Sequence, residues 1–391
     1  MKGKPSVLLV TETPPGTPNG FGVTLDTLFR DLRKWTEVIY TDADFLPEGR
    51  DRGYLFARVP NHCGRRYWLG FVSGKTPEWR GRHSHRWLRR TMNGLEPDLV
   101  YSFFHSFACL RFADWIAHNL GIPHIPHIAD HCDAFTNDPE ARKILIEAPQ
   151  RIAIGENMRR HYEEKLGVPF EVFHNDPEEE AFLPPPEASP SFTPEKPFIL
   201  RFCGSIFANL HLEGVEDVIQ AVRNLARRGI PIRIEFFGNL CPKDCLIDWL
   251  DGEIARHLGK VSPERRFMLL KDSHANLVPA SFDPQRYIHY RLSIPTKLTE
   301  TLASSRPTLV YGPSCMEAVR FCQKEGVGTV IAERSIEILE RTLQDFMTNY
   351  PAHVAKAERD AKTIRRNHSA TALRKRFLGV LENSLGQQLA A

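Results

Sequence analysis

Short apolar runs separated by longer amphipathic ones constrain this chain more than any other feature. SVLLV (6–10), GVTLDTLFRDLRKW and EVIYT (37–41) read as strand, helix and strand. The pattern resumes with DLVYSFF (98–104), a helix through ACLRFADWIAHNL, HIPHIA (124–129), RIAIG (151–155), a helix NMRRHYEEKLG and EVFHN (171–175). Strands that alternate with helices predict a parallel sheet covered on both faces, because a parallel connection needs a crossover long enough to hold a helix. Residues 176–197, DPEEEAFLPPPEASPSFTPEKP, hold seven prolines and can continue neither a helix nor a central strand. A second series follows: FILRFCG (198–204), a helix VEDVIQAVRNLARRG, IRIEFFG (232–238), RFMLLK (266–271), a helix from Pro295, PTLVYG (307–312) and VGTVIA (327–332). The expected architecture is α/β with two Rossmann-like, doubly wound domains facing a cleft. The N-terminal domain spans 1–180, a linker 181–197, the second domain 198–370, and a C-terminal helix and tail 371–391. Ligands of open parallel sheets bind beyond the carboxyl ends of the strands, so the site is expected there.

A chain of 391 residues supports two cores of this size, and its 51 basic against 48 acidic residues argue against nucleic acid as a partner. No run nears 18 uninterrupted apolar residues, and the apolar segment near the N-terminus is too short for a signal peptide, so a cytoplasmic protein is expected. Eight scattered cysteines fit reduced thiols. Neither the Cys241/Cys245 nor the Cys315/Cys322 pair has the histidines or second pair of a zinc site, so no metal and no cofactor is expected.

The stretch SIPTKLTETLASSRP places Lys297 and Glu300 three apart behind Pro295, a residue favoured at the first helical position. A helix starting there would offer its free N–H groups to an anion, with Leu298 and Leu302 on the buried stripe. Two charges at this spacing also form ordinary surface ion pairs. FCGSIFANLHLEG supplies a strand, a glycine loop at Gly204 and a helix start, a second phosphate-suited arrangement. TPPGTPNGFGVTL is read as a flexible loop, its Gly16, Gly20 and Gly22 too irregular for a GxGxxG. A P-loop, a GxSxG elbow and an HExxH motif are all absent from the sequence, which removes P-loop enzymes, α/β hydrolases and zincins.

With these parts in this order, the chain resembles the retaining GT-B glycosyltransferases of family 4, especially the bacterial polysaccharide enzymes, over nearly its whole length. NGFGVTLDTLF resembles their first glycine loop and helix; IAIGENMRRHYEEKLGVPFEVFHN resembles the end of their first domain; PTKLTETLASSRP resembles their P.K..EyLa.G.P segment. The resemblance implies a nucleotide-sugar donor, with Glu300 on the ribose hydroxyls and Lys297 near the phosphate. Pro295, Thr296, Gly204 and Ser205 then line the donor site, and Asn175, Gly20 and Gly22 the acceptor side or cleft. IPHIADHCDAF resembles the segment that lends a polar residue to the donor sugar; Asp130 is the first candidate, His131 the second, and Asp133 lies beside them. Two departures matter. The family's arginine after the loop glycine and its later lysine, both diphosphate clamps, are here Ser205 and Glu213. Lys297 must then be helped by Arg201, His211 or Arg291, or the donor carries less charge than a nucleoside diphosphate.

The implied activity is metal-independent glycosyl transfer to a glycan or lipid-linked acceptor in surface-polysaccharide synthesis. In retention the leaving phosphate takes the acceptor proton, whereas inversion needs a side-chain base. A nucleotide-sugar epimerase and a non-catalytic sugar-nucleotide-binding subunit are the rival readings. Residues 65–90, RRYWLGFVSGKTPEWRGRHSHRWLRR, interleave basic and aromatic side chains and suggest docking on an anionic membrane surface as a peripheral protein.

Overall fold

The computed structural model describes residues 4–40, 49–51, 54–58, 86, 88–186, 191–241, 247–288 and 290–388. The chain divides into two compact units, Met1–His174 with Ala372–Ala391, and Asn175–Thr371. The basic-aromatic stretch 65–90 lies outside the described residues apart from 86 and 88–90, and so does Cys245.

The first unit is built on an eight-stranded sheet. Its strands are β1 (Val7–Thr11), β2 (Thr36–Tyr40), β3 (Gly49–Asp51), β4 (Tyr54–Arg58), β5 (Leu99–Phe104), β6 (His124–Ile128), β7 (Ile152–Ala153) and β8 (Glu171–Val172). They lie in the order β3-β4-β2-β1-β5-β6-β7-β8, all parallel except β3 against β4. From β1 the chain builds outward on one side, then returns to β5 on the other, so the topological switch falls between β1 and β5. Both central strands are wholly buried, which is why VLLVT and LVYSFF read as continuous apolar runs rather than alternating ones. The last helix, Ala370–Gln388, buries Phe377 in this unit against Phe29, Tyr101 and Phe173.

The second unit carries a six-stranded parallel sheet ordered β13-β11-β9-β14-β15-β16. Its strands are β9 (Phe198–Cys203), β11 (Ile232–Phe237), β13 (Ala255–His257), β14 (Ala275–Pro279), β15 (Thr308–Tyr311) and β16 (Thr329–Ile331). A short pair, β10 (Ile206–Phe207) with β12 (Leu240–Cys241), stands apart. The helix Ala208–Arg227 packs its Val215, Val218, Ile219 and Val222 stripe onto the sheet core.

Two expectations change. RFMLLK is not a strand: it ends the helix Pro263–Lys271, whose start is fixed by Pro263 and by Ser262, its side chain accepting from Arg265 N–H. The strand lies just beyond, at Ala275–Pro279. The helix expected from Pro295 begins instead at Leu298, with Lys297 at its cap, and spans only Leu298–Ala303. The proline-rich stretch is held by the second unit: Lys271 donates to the Glu180 carbonyl, Arg306 to that of Pro186, and Arg365 pairs with Glu179.

Candidate functional site

In the second unit the switch point lies between β9 and β14. Beyond β9 comes Gly204, and a methyl added there would meet Lys297, whose Cδ lies 2.9 Å from the position. The glycine is what admits the lysine. Lys297 does not pair with Glu300. Its ammonium lies 3.7 Å from the centre of the Phe202 ring, a cation–π contact. Desolvation brings its pKa down to about 7, with Cys203 opposing and Arg266 adding to the fall. Cys203 is itself pushed up to about 11 by burial.

Glu300 is 4 % exposed and sits in a closed polar cage. Arg266 Nη2 donates to Oε2 at 2.5 Å, and Asn175 Nδ2 donates to Oε1 at 3.1 Å. Burial raises the Glu300 pKa, and the charge and hydrogen bonds of Arg266 and Asn175 restrain the rise. Asn175 also donates to the Thr296 carbonyl, while its own carbonyl accepts from Thr299 Oγ1, so it braces the short helix from outside. Pro295 and Thr296 are half-buried turn residues, and the Pro295 carbonyl accepts from Leu298 N–H. A helix of one and a half turns beginning after them gives the expected helix-terminus phosphate site no footing.

The expected auxiliary cations fare differently. Arg201 is buried within the sheet and spent there, donating to Glu235 at 2.6 Å and to the Leu269 carbonyl. His211 is buried, accepts at Nδ1 from Phe207 N–H, and is held neutral by desolvation. Neither can neutralise a phosphate, which corrects the expectation for both. Arg291 is half-buried, its carbonyl accepting from Glu317 N–H. Glu213, in the place where the resembled family has a lysine, pairs with Arg286 at 2.8 Å and accepts from Ser281. Ser205, half-buried, follows Gly204 into β10. The cation not legible in the sequence is Arg266, which the helix Pro263–Lys271, rather than the expected strand, brings to Glu300.

In the first unit Asp130 and His131 follow β6. His131 has both ring nitrogens engaged, Nδ1 with Tyr162 Oη at 2.8 Å and Nε2 with Asp133 at 3.2 Å, and its side chain is 8 % exposed. Gly20 opens the first helix, capped by Asn19, whose side chain accepts from Gly22 N–H. Gly22 is a packing glycine: a methyl there would strike the backbone of Thr17. Two residues were not anticipated. Glu12 directly follows β1 and His105 directly follows β5, and they form an ion pair at 2.8 Å. A polar residue at the carboxyl end of each buried strand was the available signal.

No family model matches this chain, and no curated protein matches it. Solved structures do. A glycosyltransferase from Rickettsia africae superposes with TM-score 0.69 at 13 % identity, covering 97 % of this chain and 99 % of that one. HepE of Anabaena, solved with UDP, gives 0.66 at 12 % identity over 97 % and 100 %. Sucrose-phosphate synthase from Thermosynechococcus elongatus gives 0.66 at 11 % over 98 % and 100 %. At this identity the likeness establishes architecture, and the architecture of this chain is the GT-B fold of glycosyltransferases.

Proposed function

We propose that the protein is a glycosyltransferase that moves a sugar from a nucleotide-sugar donor to a hydroxyl of a glycan or lipid-linked acceptor, without a metal ion. The observation that carries the reading is the group around Gly204: a desolvated lysine against Phe202, and Glu300 caged by Arg266 and Asn175, in the unit whose sheet end suits a ligand. HepE has been solved with UDP and with UDP-glucose, which supports a nucleotide-sugar donor. In this reading Lys297 meets the phosphate and gains its proton as the anion arrives. The ribose hydroxyls take the lone pairs of Glu300 left by its two present donors, or displace Arg266. Leaving-group stabilisation then rests on Lys297 and Arg266 rather than on Arg201 or His211. An anionic membrane surface met by residues 65–90 would hold a lipid-linked acceptor, and co-sedimentation with anionic liposomes at low and high salt tests that part.

The main test is calorimetry in EDTA with a panel of nucleotide sugars, joined to an assay of nucleotide release with and without acceptor extract. Glu300→Gln should raise Kd at least about tenfold, the loss of charge-assisted hydrogen bonds worth ~1.5 to 3 kcal/mol. An unchanged Kd removes Glu300 from the site. Binding without release from any donor supports the non-catalytic subunit, favoured by Ser205 and Glu213; conversion without acceptor supports the epimerase. Turnover lost in EDTA and restored by magnesium would overturn metal independence.

A further inference from the structure

Phe207 follows Gly204 by three residues, beyond the carboxyl end of β9, and its side chain is 41 % exposed. Its backbone is nonetheless tightly held. β10 pairs with β12 and sets Phe207 opposite Cys241, the Phe207 N–H donates to Nδ1 of the buried, neutral His211 at 3.2 Å, and the Ala208 carbonyl accepts from Arg286 Nη1 at 3.4 Å. A second tether joins the same two stretches of chain: Asn209 Nδ2 donates to Tyr290 Oη at 2.8 Å. Neither of these side chains makes another hydrogen bond among the described residues. The Asn209 amide oxygen is therefore left as an acceptor, and the Tyr290 hydroxyl, which accepts from the asparagine, keeps its own proton to donate. Ile288, on the turn leading to Tyr290, is exposed as well. An exposed phenyl two residues from a fixed acceptor and a fixed donor matches the chemistry of a pyranose, with its apolar C–H face and its rim of hydroxyls.

We propose that Phe207, Asn209 and Tyr290 form a subsite for the pyranosyl group of the donor, and that this group is a neutral sugar rather than an acidic one; the role rests on the glycosyl-transfer reading above. All three residues belong to the second unit. The C–H face of the sugar lies on Phe207, one hydroxyl donates to Asn209 Oδ1, and another accepts from Tyr290. Phosphate at Lys297, beside Gly204, and sugar at Phe207 then follow one another along a single stretch of chain. The subsite holds the ring and moves no proton, so it is compatible with the retention that the family resemblance implies.

The preference for a neutral sugar comes from the charges around Arg286, the residue that holds the Ala208 carbonyl. Its Nε lies 2.8 Å from Glu213 Oε1 and 3.3 Å from Asp283 Oδ2. Glu216, on the same helix as Glu213, has its pKa raised by desolvation and by the charges of Glu213 and Asp217, with Arg334 and Arg286 opposing. Negative charge is in excess here: Glu213, Glu216, Asp217 and Asp283 stand against Arg286 and Arg334. A carboxylate on the sugar would meet that excess, whereas hydroxyls would not. Glu213, standing where the resembled family has a phosphate-clamping lysine, thus becomes a filter against acidic sugars.

The test is calorimetry on the full chain with UDP, UDP-glucose and UDP-glucuronate, and with the matching guanine set GDP, GDP-mannose and GDP-mannuronate. Phe207→Ala should raise Kd for the neutral nucleotide sugar by about three- to tenfold and leave Kd for the bare nucleotide unchanged, while Phe207→Trp, which keeps an aromatic face, should hold the wild-type value. Asn209→Ala and Tyr290→Phe should each weaken the nucleotide sugar by up to about tenfold, again sparing the nucleotide. In wild type the acidic nucleotide sugar should bind more weakly than the neutral one, and Glu213→Gln should narrow that gap. Unfolding midpoints of the Phe207 variants should match wild type, since the side chain is exposed. A nucleotide sugar that binds Phe207→Ala as it binds wild type, a loss shared equally by the bare nucleotide, or an acidic sugar held as tightly as the neutral one overturns the subsite while the donor reading stands. A chain that binds neither nucleotide nor nucleotide sugar overturns the donor reading and the subsite with it.

Discussion

Each unit pairs a largely covered glutamate with a nitrogen base, and the two pairs differ in what they can do. In the first, Glu12 backs an imidazole that is 47 % exposed. In the second, Glu300 is 4 % exposed and holds a guanidinium whose side chain is 21 % exposed, beside a desolvated lysine. An imidazole changes charge near neutrality and can exchange a proton with a ligand; a guanidinium keeps its proton at any working pH. The first pair therefore suits a change of charge with pH. The second suits a fixed charge pattern set by burial.

The largest effect expected at a single pH comes from breaking the Glu300–Arg266 pair. Arg266→Ala leaves the Glu300 carboxylate buried with Asn175 as its remaining donor, and should cost about 2 kcal/mol in urea unfolding at pH 7, below the ~3 to 5 of a fully buried pair because Arg266 is partly exposed. The loss should grow with pH: the folded pKa of Glu300 lies above its unfolded value, so the folded state holds that proton more tightly and loses stability as pH rises through it. A loss below that of His105→Ala would erase the distinction between the pairs.

A second effect is the pH slope set by Lys297. Its pKa of about 7 lies below the usual lysine value, so between the two the unfolded chain binds a proton that the folded chain does not, and stability rises with pH across that window. Lys297→Met should remove a slope of at most about 1.4 kcal/mol per pH unit. Unfolding curves from pH 7 to 10 that are parallel for the two proteins would place Lys297 in contact with water. The smallest effect belongs to the open pair: His105→Ala should change unfolding stability by about 1 kcal/mol or less, since the ring is half exposed and only Glu12 loses its partner. A larger loss would make His105 a structural residue.

Much of the fold was legible because its signals are local. Buried parallel strands are continuous apolar runs, and VLLVT, LVYSFF, FILRFC and IRIEFF declared themselves. The errors fell where local signals conflict. RFMLLK is apolar and short, so periodicity could not separate strand from helix, and the Ser262-Pro263 start was the deciding cue. The strand itself, ANLVP, ends on Pro279, which a strand's final residue tolerates. Of the candidate site, Glu300, Lys297, Gly204 and Asn175 were named from the sequence and are brought together in the second unit. Arg201 and His211 were named as cations, and Glu235 and desolvation remove them from that role.

The order of apolar and amphipathic runs, by itself, determined two units built on parallel sheets, since the hydrophobic period is written residue by residue along the chain. Which charges meet was decided only by tertiary structure. Arg266 reaches Glu300 from 34 residues away and Glu12 reaches His105 from 93. Lys297, three residues from Glu300, turns instead to Phe202. A charge finds its partner through burial and strand order, and neither is a property of sequence neighbours.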